Sequence, residues 1–227
     1  MKPPSENYSY ICSWFQHKKR KDMNLKYIFA ALALSVLSSG AMAQDNTWEM
    51  AESTEQTQKN PDQKYLAGAV PVVDGKVTFT QHIPAPGKSA RQIYDILHKQ
   101  IAGMLKEKNQ FEQSRFIMEK PETGELAAYF QEWLVFKNKP LVLDRTRLMF
   151  NLTVICTDGN AEVTINRIHY LYDEERTPLA YRAEELITDE YGLKKNKQNL
   201  SRTTGKFRRK TIDRKDYIFQ KFAELLK

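Results

Sequence analysis

Cysteine is almost missing from this chain: there are two in 227 residues, Cys12 and Cys156. A disulfide framework is therefore excluded as the source of stability, and a hydrophobic core has to carry the fold. Histidine is nearly as scarce. His82, His98 and His169 stand at no ligand spacing, no cysteine pair exists, and there is no His-Glu-x-x-His, so no metal site is expected. The glycines are scattered at turns and build no phosphate-cradling loop, and the Gly-x-Ser-x-Gly elbow of hydrolases is absent. No cofactor and no catalytic residue is expected from these patterns. Long apolar runs are lacking too. The longest, Tyr27 to Leu37, is 11 residues, against the roughly 20 a bilayer-spanning helix needs.

That short run has a recognisable setting. Met23 begins "MNLKYIFAALALSVLSSGAMAQ", with Lys26 as a positive start, then the apolar stretch, then Ala41-Met42-Ala43 as a small-x-small cleavage site before Gln44. This is the pattern of a secretory signal peptide over 23–43, with processing between Ala43 and Gln44. Residues 1–22 are then a mis-assigned start or an extended n-region. The chain from Gln44 onward is expected to be exported, to the periplasm or cell envelope. Cys156 is alone in that processed form. It reads as a small buried residue at a strand end, the alternative being a reactive thiol.

The net charge of +7 needs dividing before it is used. Residues 192–216 hold ten Lys and Arg against two acids, a local +8, and the rest of the processed chain is −5. This is a mildly acidic domain with one basic segment, "NLSRTTGKFRRKTIDRK" (Asn199 to Lys215) at its heart. Such a segment could hold phosphate backbones electrostatically. Export would remove it from the cytoplasmic nucleic-acid pool, which disfavours that partner. Lipid headgroups, acidic polysaccharide, an acidic protein face or the domain's own acids remain. Pairing with the domain's own acids, "TDEY" (188–191) among them, or simple solvation is the plainer reading.

Residues 44–63 are polar and read as a disordered leader, so the domain is expected over 64–227. Asp74-Gly75 is a turn between apolar runs, and Lys76 to Ile83 alternates as a strand. Ser89 and Gln92 have capping-box spacing ahead of a helix bearing Ile93, Ile96, Leu97, Ile101, Met104 and Leu105 on one face. Four strands are expected next: 114–120, 125–136, 141–156 and 161–173. Across the 157–160 loop, Val154 should face Val163 and Leu152 should face Ile165. Beyond Asn166 the apolar phase flips. Either a bulge returns Ile168 and Tyr170 to the core, or Arg167 and His169 point between sheet and helices. A short acidic helix over 183–191, capped by Gly192, and a last helix beginning at Thr211 or Asp213 complete the chain. Ile212, Phe219, Phe222, Ala223 and Leu226 line one side of that helix. The order strand, helix, four strands, helix predicts an α+β domain, an antiparallel sheet with two helices on one face, TBP-like or helix-grip-like.

Two stretches carry a resemblance: "GAVPVVDGKVTF" (68–79) and "ITDEYGLKKNKQNLSRTTGKFRRKTID" (187–213). With "EWLVF" (132–136) and "LDRTRL" (143–148), they resemble an exported bacterial family, a domain of unknown function with a TATA-binding-protein-like fold. The likeness runs from Tyr65 to Lys227. It implies the same strand-helix-four-strand-helix order, and it implies no activity and no catalytic residue.

The leading expectation is a non-enzymatic binding or interaction module of the cell envelope, with an apolar groove between sheet and helices. Its partner would be an anionic envelope component or another protein. The binding candidates are Arg167 and His169 in the sheet, and Arg202, Lys206, Arg208, Arg209 and Lys210 in the basic segment; replacing those five with Gln is expected to leave the melting temperature unchanged. A small carboxylate-dependent hydrolase is the second reading. For it Glu132 beside Trp133 is the candidate, because an apolar neighbour can raise a carboxyl pKa; otherwise Glu132 is an exposed strand residue. A structural or interaction subunit is the third.

Overall fold

The computed structural model describes Trp48 and residues 61–227, which belong to one compact unit, Gln44–Lys227. The expected signal peptide, the expected Ala43/Gln44 cleavage site and most of the expected leader lie outside the described residues.

A short hairpin opens the domain. β1 (Val72–Val73) and β2 (Lys76–Val77) are joined by Asp74 and Gly75, both at positive φ (49° and 73°). That pairing of signs is the tight turn that Asp-Gly adopts most readily, because it matches the twist of the strands. β3 (Phe79–Pro84) then leads to α1 (Ala90–Met104). The capping box is present: the Gln92 backbone N–H donates to Ser89 Oγ, and the Ser89 N–H donates to Gln92 Oε1. The helix buries Ile93, Tyr94, Leu97, Ile101 and Met104, the stripe its 3.6-residue period implies.

Four antiparallel strands follow, β4 (Arg115–Lys120), β5 (Glu125–Lys139), β6 (Val142–Thr157) and β7 (Asn160–Tyr172), then β8 (Leu179–Arg182), α2 (Ala183–Leu186) and α3 (Gly205–Leu226). The sheet order is β3-β7-β6-β5-β4. β3 and β8 share one edge of β7: β3 pairs with its residues 160–165 and β8 with 169–172. α1 and α3 pack against each other and against one face of the sheet.

The β6–β7 register has Val154 opposite Val163 and Leu152 opposite Ile165, with ladder pairing reaching to Thr157 and Asn160, so only Asp158 and Gly159 turn the chain. The phase flip is a bulge. Asn151 faces Asn166 and Met149 faces His169, so Arg167 and Ile168 together oppose Phe150. Arg167 takes up the extra residue at φ 51°. Ile168 and Tyr170 thereby return to the core, while Arg167 and His169 are exposed on the face that carries no helix. They do not enter the space between sheet and helices.

Two boundaries at the C-terminal end differ from expectation. The acidic helix is one turn, Ala183–Leu186, and does not run to Tyr191. Gly192 is no left-handed cap; it is small because a Cβ there would come within 2.8 Å of Arg208 Cδ and 2.9 Å of the Ile187 carbonyl. The last helix starts at Gly205, six residues before Thr211, and Thr211 is buried inside it. The basic stretch is thus mostly helix. Lys and Arg are good helix formers, and Phe207, Arg208, Thr211, Ile212, Arg214, Ile218, Phe219, Phe222 and Leu226 form one continuous inward stripe.

The expected groove between sheet and helices is filled. Phe130 and Phe150 stack at 5.0 Å, and Tyr170 donates to or accepts from Thr211 Oγ1 at 2.7 Å. What remains is a cavity of about 10 Å³ lined by Leu148, Phe150, Ile165, Ile168 and one side of α3, room for a single water at most.

Cys156 is buried at the end of β6, and burial pushes its thiol up from 9.0 to about 11. Native protein should therefore resist iodoacetamide at pH 8 and react once unfolded, as a thiol-modification time course with and without urea would show. Because the folded-state value is the higher one, the stability Cys156 contributes is intact below pH 9 and declines as pH rises toward 11.

Candidate functional site

The seven basic and sheet residues singled out from the sequence do not converge. Arg167 and His169 lie on the outer sheet face, where His169 Nδ1 is 2.8 Å from the Arg167 carbonyl. Arg202 is exposed in the turn before α3. The residues on α3 itself are largely spoken for. Lys206 reaches Asp144 Oδ1 and Oδ2 at 2.9 and 2.7 Å and the Tyr172 hydroxyl at 2.9 Å. Arg209 donates to Asp62 at 2.5 Å, and Lys210 is half-buried. Phe207, the aromatic among the cations, is buried edge-on against Phe136 and Tyr170 and offers no stacking face for a base.

Arg208 departs most from expectation. Its side chain is 0% exposed. Nε donates to the Tyr65 carbonyl at 2.6 Å and Nη1 to the Ile187 carbonyl at 2.6 Å. Nη2 donates to the Leu66 carbonyl and to Asp189 Oδ1, both at 2.7 Å. Burial pulls the guanidinium below its ordinary pKa, and the hydrogen bond and charge of Asp189 oppose that. So Arg208 staples the entry segment and the loop after α2 to α3. Asp189 belongs to "TDEY", which makes internal pairing the fate of this cation.

A second buried arginine defines the centre of the domain. Arg214 Nε and Nη2 donate to Glu132 Oε1 and Oε2 at 2.7 and 2.8 Å, a two-pronged pair between α3 and β5. Glu132 is 0% exposed, so it is not an exposed strand residue. Nor does Trp133 form its environment, because successive strand residues point to opposite faces; Trp133 lies on the outer face, 5.0 Å from Phe111. Gln110 Nε2 also donates to Glu132 Oε2. Glu107 Oε2 stands 3.6 Å from Arg214 Nη2. Burial, and then the charge of Glu132, push the Glu107 carboxyl up, against the opposing pull of Arg214. Trp48 closes the cluster from the leader. It is buried, its ring 5.4 Å from the Arg214 guanidinium and 6.1 Å from Tyr217. The leader is therefore anchored to the domain at Trp48, although its composition suggested disorder throughout. The buried Glu132 and the half-buried Glu107 thus meet on a shared arginine.

The open surface lies at one end of the sheet. A groove of about 660 Å³ runs between the β5–β6 hairpin and the β7–β8 connection, lined by Trp133, Leu141 to Arg145 and Leu171 to Arg176. Its charges are matched. Arg145 donates to Glu175 at 2.8 Å and lies 3.7 Å above the Trp133 ring. Arg147 donates to both oxygens of Glu174 at 2.9 and 2.6 Å and covers Phe111. Asp144 is held by Lys206. Along the wall of the groove the hairpin runs on as two strands only. β7 pairs with β6 no further than Thr146, while β5 and β6 continue from Val135–Arg145 to Lys139–Val142. All seven residues from Lys137 to Leu143 are exposed.

The turn at the tip is Pro140-Leu141, and Leu141 sits at φ 66° with 105% of its surface exposed. Glycine or asparagine normally fills that left-handed position after proline. Val142 and Leu143 beside it are also exposed, and Leu179 lies at the same end of the sheet. The sequence reading missed this site, placing Leu141 inside a strand; the signal was "KPLVL", where a turn-forming proline precedes three large apolar residues.

Among the described residues no cluster of His, Cys, Asp and Glu could hold a metal ion, and no helix is long and apolar enough to cross a membrane.

An antiparallel sheet covered on one face by two helices, in this strand order, is the TBP-like α+β fold. Residues 79–171 match the domain of unknown function with TBP-like fold designated DUF4468. A DUF4468 family protein from Bacteroides ovatus is 41% identical, with a TM-score of 0.68, over 74% of this chain and 96% of that one. The chain belongs to this family. A TBP-like protein from Parabacteroides distasonis shares the fold at 16% identity and a TM-score of 0.54, over 69% of this chain and 96% of that one. No curated protein matches the sequence.

The two buried arginines yield a prediction opposite to that for a surface binding patch. Glu132→Gln and Arg208→Gln should each destabilise the protein by about 3–5 kcal/mol, since each strands a buried charge or its partners. The double change Glu132→Leu with Arg214→Met should be less harmful than Glu132→Gln alone, because it removes both charges of the pair. Urea unfolding of the four proteins measures both effects.

Proposed function

We propose that this domain is a non-enzymatic interaction module of the bacterial cell envelope, and that it engages its partner with the projecting β5–β6 tip. The export half of the reading rests on the signal-peptide pattern over residues 23–43. The interaction half rests on one observation: Leu141 is fully exposed in a left-handed backbone conformation that disfavours it. Two local rules are broken at one residue, at a combined cost of about 1–3 kcal/mol. Sequences relax such positions to glycine or a polar residue unless a contact made outside the domain uses them.

The alternatives have less to stand on. The sheet–helix interface holds no space for a small ligand. Three of the four acids in the end groove, Asp144, Glu174 and Glu175, are each engaged by a basic side chain, which leaves a hydrolase no pair among them. Arg208 and Arg214 are turned inward and Lys206 and Arg209 are paired with acids, so a nucleic-acid surface on α3 loses its main donors, and the exposed cations are Lys194, Lys195, Lys197 and Arg202 ahead of it.

The test uses the processed chain beginning at Gln44 and envelope membranes of Bacteroides ovatus, the source of the 41% identical relative. Wild type should co-sediment with the membranes. A variant carrying Leu141→Gly, Val142→Thr and Leu143→Thr should lose most of that retention with its melting temperature unchanged or slightly raised. Equal retention of the two proteins would overturn the reading.

A further inference from the structure

The proposed contact has a chemistry that narrows the partner. From the structure of the tip we infer that the β5–β6 hairpin is a membrane probe: it inserts Leu141, Val142 and Leu143 into the interfacial layer of an anionic lipid bilayer, with Lys137 and Lys139 on the headgroups. This rests on the interaction reading above and gives it a ligand.

Three observations favour a lipid surface over a protein pocket. The first is shape. Asp144 is still held by Tyr172 and Lys206; beyond it the two strands run on for about three residues, roughly 10 Å at ~3.4 Å per residue, to the turn at Pro140 and Leu141. The turn, with Leu141 fully exposed, is the end of this hairpin that a planar surface would meet. The second is composition. Lys137 to Leu143 contains two lysines, three large exposed apolar side chains and no acid, the mixture that binds anionic interfaces. The third is charge behind the tip. Asp144, Glu174 and Glu175 would repel an anionic bilayer, but Lys206, Arg147 and Arg145 respectively neutralise them in ion pairs of 2.6 to 2.8 Å. Asp173 and Arg176 add one charge of each sign to the same groove. The balance leaves Lys137 and Lys139 as the surplus that an anionic surface would feel.

The apolar contribution comes from side chains already ordered on a turn, so little conformational freedom is lost on insertion. A tip of this size supports reversible, peripheral attachment, and a second signal would be needed to make it permanent.

The experiment compares two binding surfaces. Processed protein is mixed with phosphatidylcholine vesicles, with or without phosphatidylglycerol, and its partition is measured at increasing salt. Binding should require phosphatidylglycerol and weaken with salt. Leu141→Gly with Val142→Thr and Leu143→Thr should lower the partition coefficient about tenfold or more. Lys137→Gln with Lys139→Gln should lower it several-fold and flatten its salt dependence. Depth is read independently: Leu141→Cys can be labelled alone with a polarity-sensitive dye because Cys156 is buried, and the dye should shift to the blue on vesicles and be quenched by nitroxide lipids. If wild type and the apolar triple variant partition equally, or the dye stays in water, insertion is refuted. If the tip mediates retention on envelope membranes yet no lipid vesicle binds, the partner is a protein and the lipid inference fails while the interaction module stands. Absence of tip-dependent binding to either surface overturns both.

Discussion

The ion pair between Arg214 and Glu132 is the constraint on which the arrangement of the domain depends. An arginine on the inward stripe of α3 cannot simply be buried: its charge must meet a carboxylate, with its donors directed along fixed lines. Glu132 supplies both oxygens from the middle of β5, and Gln110 holds Glu132 from the loop after α1. Helix, central strand and connecting loop are thereby located relative to one another at a single point. An apolar residue at 214 would permit α3 to slide by a turn over a surface of Leu, Phe and Ile. The paired charges do not permit that, and their value is in specifying the packing more than in adding stability.

Arg208 applies the same logic two turns earlier. Its guanidinium collects three backbone carbonyls and Asp189, so the segment entering the sheet and the loop after α2 are both tied to α3. Gly192 has no side chain because the Arg208 stem occupies the space. The α3 arginines and Lys206 of the +8 segment 192–216 therefore serve as an internal scaffold, while Lys194, Lys195, Lys197 and Arg202 ahead of the helix are exposed. Two of its arginines are core residues, and Lys206 and Arg209 form ion pairs at the margin with Asp144 and Asp62.

This explains which features were legible in the sequence. The capping box at Ser89, the Asp74-Gly75 turn, the stripe of α1, the Val154–Val163 register and the bulge beyond Asn166 all follow local rules, in which a residue's neighbours along the chain determine its environment. The start of α3 does not. Read by polarity, 199–210 resembles a solvated basic loop; only knowledge of Asp189, Glu132 and the carbonyls of Tyr65, Leu66 and Ile187 reveals why those arginines turn inward. Glu132 was misplaced for the same reason, its partner being 82 residues away. Trp48 was hidden within a polar leader whose composition outweighs one aromatic. The bulge also shows how one extra residue divides function from structure: it keeps Tyr170 inside and leaves Arg167 and His169 outside.

A core that is filled and internally paired displaces function to the periphery. TBP-like architecture alone assigns no activity, because sites and not folds carry chemistry. There is a contrast within one strand pair. The inward positions of β5–β6 carry the stacked Phe130 and Phe150 and receive α3 at Glu132. Past Asp144, which Tyr172 and Lys206 hold, the same hairpin reverses its preferences: apolar side chains face water, a leucine takes a glycine's conformation, and Lys137 and Lys139 are exposed. Stability does not account for Leu141, which is fully exposed at the tip. An external surface that is apolar at its depth and anionic at its edge would supply the missing half of the environment.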